Sequence, residues 1–106
     1  MGEFKRLSEC EEFVMTIVWR ADEAPDLKTV LDAVNQKYGK TWKPQTVSTF
    51  LARLIKKGFL ESYRKGRYTY YVPKVALKDY RKEVVAETIK VLYGGEAADM
   101  VVDVEN

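Results

Sequence analysis

Apolar residues recur at helical spacing three times before residue 58, and each recurrence is punctuated at both ends. Cys10, Phe13, Val14, Ile17 and Val18 fall at i, i+3, i+4, i+7 and i+8, the spacing of one helix face. Leu27, Val30, Leu31, Val34 and Tyr38 form a second stripe, and Val47, Phe50, Leu51, Leu54 and Ile55 a third. Ser8 and Glu11 stand at capping-box spacing ahead of the first helix, which ends near Trp19–Ala21 before the acidic turn Asp22-Glu23-Ala24-Pro25. Asp26 is a good N-cap for the second helix, and Gly39 supplies its left-handed stop. The segment Lys40-Thr41-Trp42-Lys43 is expected to form one brief strand. Pro44 falls in the first turn of the third helix, where proline is favoured, and Gly58 ends it.

After Gly58 the period changes. FLESYR and YTYYVP, separated by Lys65-Gly66-Arg67, read as two strands joined by a tight turn. Tyr63, Tyr68, Tyr70, Tyr71 and Val72 favour strand geometry, and Pro73 closes the second strand. A fourth helix is expected from about Ala76 to Tyr93, stopped by Gly94-Gly95, with one more helical turn or two in EAADMVVDVEN. The expected fold is mainly α with a small β-hairpin. It is a winged helix-turn-helix over residues 1–75, followed by a C-terminal dimerisation helix and short tail over residues 76–106.

The net charge of +2 conceals a segregation of sign. Residues 1–39 carry 5 basic and 8 acidic side chains, residues 40–82 carry 12 and 2, and residues 83–106 carry 1 and 6. A basic middle between acidic flanks implies a local anionic partner, because mixed signs serve solubility as well. Between Lys40 and Glu61 there is no acid at all. A helix that needs only a solvated outer face has no reason to avoid carboxylates. A helix that enters the major groove of DNA does, because the groove is lined by phosphates. Gln45, Thr46 and Thr49 lie in the half of the helix that meets base edges. Gln pairs with adenine, and the Thr methyl packs on the methyl of thymine. Arg53 reaches a guanine or a phosphate, and Lys43, Lys56 and Lys57 are expected at phosphates, with Thr41 just ahead of the helix grouped with them. Arg64, Lys65 and Arg67 crowd three cations at the hairpin tip, where an anion would relieve their repulsion.

The other chemistries are disfavoured. One cysteine and no histidine exclude a disulfide framework within the chain, the usual zinc spacings and the commonest general base. No convergent carboxylates, Gly-rich phosphate loop or nucleophile–base pair stand out, so neither an enzyme nor a cofactor or metal site is expected. Cys10, on an apolar face, is read as a core thiol. No apolar run approaches ~18 residues, and MGEFKRLSE lacks a signal-peptide core, so the expectation is a cytoplasmic protein with no membrane span.

Residues 7–73 resemble the penicillinase-repressor family of bacterial winged-helix repressors (BlaI/MecI/CopY). LSECEEFVMTIVW, TWKPQTVSTFLARLIKKGFLE and RKGRYTYYVP carry the resemblance, and the second contains W-x-P-x-T-V-x-T-x-L-x-R-L-x-x-K-G. The resemblance implies a homodimer that represses transcription from a palindromic double-stranded DNA operator, with contacts at Gln45, Thr46, Thr49 and Arg53. The family often has Lys where this chain has Gln45. Family members dimerise through helices that follow the DNA-binding domain. Here Leu77, Tyr80, Val84, Val85, Ile89, Val91 and Leu92 make a stripe wider than one small domain covers, and Met100, Val101, Val102 and Val104 extend it. The Asn-Phe cleavage bond of the β-lactam-responsive members is replaced by Asp103-Val104, and the cysteine cluster of the copper-responsive members is missing. Neither inducing signal is expected. The competing reading from another class is a winged-helix module that binds protein without DNA.

Overall fold

A computed structural model describes residues 5–105. Its elements are α1 (Glu9–Arg20), α2 (Leu27–Tyr38), α3 (Pro44–Lys56), β1 (Leu60–Lys65), β2 (Tyr68–Pro73), α4 (Leu77–Leu92) and α5 (Ala97–Glu105). They fall into two compact units, Leu7–Ala76 and a second that holds α4 and α5.

In the first unit the helices begin and end where the punctuation placed them. Ser8 Oγ accepts from the Glu11 amide at 3.2 Å while Glu11 Oε1 accepts from the Ser8 amide at 2.8 Å, which completes the capping box. Asp26 caps α2 through the Thr29 amide at 2.9 Å. At the end of α3, Gly58 takes φ 84°. That left-handed step lets the Phe59 amide reach the Leu54 carbonyl at 2.9 Å and the Gly58 amide reach that of Ile55 at 3.0 Å, a Schellman close.

The core is built from Val14, Met15 and Val18 of α1, Val30 and Val34 of α2, Val47, Leu51 and Leu54 of α3, and Leu60 at the hairpin base. Each fully buried aliphatic side chain of this size contributes about 1.5–3 kcal/mol. The α1 face is turned slightly from the expected one. Met15 and Glu11 are buried, whereas Cys10, Phe13 and Ile17 lie only half-buried. Phe13 instead stacks on Tyr38 with centroids 4.2 Å apart, closing α1 on the end of α2. Ile55, expected in the third stripe, is 39% exposed. It sits at the edge of an arc that Val47, Leu51 and Leu54 already fill.

No strand forms at residues 40–43. The side chain of Asn35 takes the place of a partner strand there: Oδ1 accepts from the Trp42 amide at 2.9 Å, and Nδ2 donates to the Trp42 carbonyl at 3.1 Å. Extended pairing occurs instead ahead of α2. Asp26 bridges antiparallel to Tyr70, and the Tyr71 amide donates to the Pro25 carbonyl at 3.0 Å. The hairpin therefore gains a short third neighbour from the α1–α2 connection. The Lys74 amide binds the Phe59 carbonyl at 2.8 Å, and Trp19 Nε1 binds the Val75 carbonyl at 2.8 Å, which fastens the hairpin base to α1.

In the second unit, α4 starts one residue later and ends one residue earlier than expected, and the tail forms a full nine-residue helix. Gly94 and Gly95 turn the chain between them with φ 56° and 90°. The Tyr93 hydroxyl donates to Asp103 Oδ2 at 2.9 Å. No helix among the described residues is long and apolar enough to cross a membrane.

Candidate nucleic-acid interface

The outer face of α3 follows from its inner one. With Val47, Leu51 and Leu54 buried, Gln45, Thr49, Arg53 and Lys56 must point outward, and all four are exposed. From Gln45 to Lys56 they extend over about 16 Å of helix. Thr46 is half-buried beside them. The Thr49 hydroxyl donates to the Gln45 carbonyl at 3.0 Å. With that proton used, Thr49 offers a methyl group and acceptor lone pairs to whatever faces it. The Arg53 guanidinium carbon lies 5.6 Å from the centroid of the Phe50 ring, which itself stacks on Trp42 at 5.1 Å. The ring steadies the arginine without consuming its hydrogen-bond donors.

The start of α3 differs from those of α1 and α2. Its N-cap is Lys43, which makes no side-chain capping bond, and Pro44 occupies the first turn, which like that of α2 holds no acid. The positive end of the helix dipole is left without a side-chain anion, next to an exposed cation, and Thr41 is exposed just before it.

The hairpin separates the expected basic tip. Lys65 pairs with Tyr68, so the turn itself is only Gly66-Arg67, with φ 65° at Gly66. Side chains alternate across a strand, so Arg64 lies on the face of Thr69 and Lys65 on the face of Tyr68, with Arg67 between them in the turn. All three cations are exposed. Tyr63 stacks on its cross-strand partner Tyr70 at 5.5 Å, and Tyr68 tilts against Tyr70 at 6.5 Å, which stiffens the hairpin from one side.

Lys57 departs from expectation. It donates to both oxygens of Glu11, at 2.9 and 2.7 Å, so its charge is already paired within the fold. Sequence reasoning also missed Lys28. A cleft lined by Asp26, Leu27, Lys28, Arg67, Tyr68, Thr69 and Tyr71 places that lysine beside the hairpin turn. The Asp26–Tyr70 bridge and the Tyr71–Pro25 hydrogen bond bring the two together, and residues as far apart in sequence as Lys28 and Arg67 carry no local signal of such pairing. Of the residues expected to pair two chains, Tyr80 is buried within the single chain, Leu77, Val84, Ile89 and Met100 are half-buried, and Val85, Leu92 and Val101 are exposed.

Residues 7–105 match the sequence profile of the penicillinase repressor family. The penicillinase repressor of Bacillus licheniformis is 28% identical over 103 residues, 97% of this chain and 78% of that protein. The methicillin resistance regulatory protein MecI of Staphylococcus aureus is 27% identical over 89 residues, 84% of this chain and 70% of that protein. Among solved structures, the monomeric form of Bacillus licheniformis BlaI in complex with the blaP half-operator superposes with a TM-score of 0.60. It is 32% identical, over 76% of this chain and 94% of that one.

Proposed function

The chain belongs to the penicillinase repressor family, and from that premise we propose that it is a DNA-binding transcriptional repressor, without enzymatic activity, that acts as a homodimer on a palindromic operator. One observation carries the reading. Of the three helices in Leu7–Ala76, α3 alone begins on an uncapped lysine, and its outward face holds Gln45, Thr49, Arg53 and Lys56 with no carboxylate. That face suits a groove walled by phosphates.

Gln45, Thr46 and Thr49 read base edges, and Arg53 reaches a guanine or a phosphate. Thr41, Lys43, Lys56, Arg64, Lys65 and Arg67 hold the backbone and set the register of the protein on the duplex. Lys28, whose Nζ meets Asp32 Oδ2 at 3.2 Å in a solvent-exposed pair that a phosphate can replace, joins this group through its cleft with Arg67. Leu7–Ala76 is the DNA-binding domain, and α4 and α5 pair two copies so that two α3 helices lie about 34–36 Å apart, one duplex turn.

Titration of the protein onto duplexes that carry one or two half-sites, at several salt concentrations, tests this. Binding to the two-site duplex should be tighter than to one site, and log affinity should fall with log salt at about −0.9 per phosphate neutralised. Affinity flat in salt sinks the DNA reading in favour of a protein partner. Equal affinity for one and two half-sites sinks the dimer.

A further inference from the structure

The second unit leaves apolar surface and charge uncovered in a pattern that specifies its partner. Across the 25 residues of α4 and α5, Tyr80 alone is buried. Leu92 is 74% exposed and Val104 78%. One face of α4 forms an open groove, lined by Lys78, Arg81 and Lys82 in the first half of the helix and by Val85, Ala86 and Ile89 in the turns that follow. On α5 the composition is reversed in sign. Asp99, Asp103 and Glu105 interleave with Val101, Val102 and Val104, and the helix contains no basic residue.

The two surfaces match, yet one chain cannot bring its own together. The Tyr93–Asp103 hydrogen bond, 2.9 Å long, holds α5 at the C-terminal end of α4. Lys82 and Lys78 lie 11 and 15 residues before Tyr93, which directly follows α4, about 16 and 22 Å along the helix axis. A second copy related by a two-fold axis beside the middle of α4 removes that separation. Its α4 runs antiparallel, so its α5 lies along the basic half of the first, and the symmetry repeats the contact at the other end.

We propose that the basic groove of α4 receives the acidic α5 of a second copy, reciprocally, and that this charge pairing sets the antiparallel register of the dimer. The inference rests on the homodimer proposed above and adds which surface meets which. A DNA phosphate is the competing occupant. It would neutralise Lys78, Arg81 and Lys82 but leave Val85, Ala86 and Ile89 facing water, whereas the valines of α5 cover them.

Charge reversal with rescue tests the pairing. Lys78→Glu with Lys82→Glu makes one variant, and Asp99→Lys with Glu105→Lys the other. In sedimentation each alone should dissociate at a concentration at least about tenfold higher than the parent, because like charges then face each other. An equimolar mixture should restore association to about the parent level, since the mixed dimer has one parental contact and one with both signs reversed, each attractive, and this recovery also shows that each variant folds. A variant that dimerises like the parent overturns the groove pairing, as does a mixture that fails to recover. Normal dimerisation of Lys78→Glu/Lys82→Glu combined with lost DNA affinity overturns it too and assigns the groove to phosphates. A parent that stays monomeric at every concentration overturns the homodimer itself.

Discussion

Lys57, at the C-cap of α3, closes on the carboxylate of Glu11 in the first turn of α1, with Nζ 2.7 Å from Oε2. The carboxylate side chain is 4% exposed and the lysine 37%. Glu11 therefore has two roles at once: it caps α1 through the Ser8 amide and anchors the far end of the proposed recognition helix. Burial acts to raise its pKa, but the hydrogen bonds from Lys57 and Ser8 and the lysine charge outweigh that and hold the carboxyl below its ordinary value.

Replacing Glu11 by Gln should therefore destabilise the fold by about 1–2 kcal/mol at pH 7, a figure kept small because Lys57 is partly solvated. A carboxyl with a depressed folded pKa contributes stability that is present above its unfolded value and lost as pH falls through the folded one. The advantage of the parent should thus be constant above the ordinary value of 4.5 and shrink below it. Urea unfolding across pH 3–8 (roughly the span that brackets this titration) checks it. A difference independent of pH would mean that the ion pair contributes nothing.

Reading and anchoring should separate by mutation. Thr49→Ala and Gln45→Ala should each reduce the preference for operator over random DNA by roughly 1–3 kcal/mol, the value of a true base contact. Lys65→Ala and Arg67→Ala should weaken both DNAs alike and lower the salt slope by about 1 each. Competition binding with the two duplexes decides; equal losses for Thr49→Ala on both would remove it from the reading face.

Asn35 should matter as much as a contact residue without touching DNA. Its side chain satisfies both the amide and the carbonyl of half-buried Trp42, immediately ahead of α3. Asn35→Ala strands both groups and should cost about 1–3 kcal/mol. Asn35→Asp keeps the acceptor for the Trp42 amide, loses the donor, and should fall between. Thermal unfolding should rank the three proteins in that order, with operator affinity following. An Asp variant no better than Ala would show that the amide contact is not what places Trp42.

The element order was legible because its signals are local. Ser8 with Glu11, Asp26, Gly39, Pro44 and Gly58 act within a turn of themselves, and the change from helical spacing to FLESYR and YTYYVP needs no knowledge of the rest of the chain. The outward, acid-free face of α3 was legible for the same reason: once its apolar arc is known, the opposite arc follows from helix geometry. What failed were statements about partners. Lys57 reads as one more surface cation until the fold brings it to Glu11, 46 residues away. The strand expected at 40–43 gave way to an asparagine side chain, and pairing moved to Asp26 and Tyr70, which placed Lys28 beside Arg67. A sequence carries the period and the caps because those depend on neighbours along the chain. Which charge is neutralised and which is left for a ligand depends on neighbours in space, and tertiary packing alone brings those together.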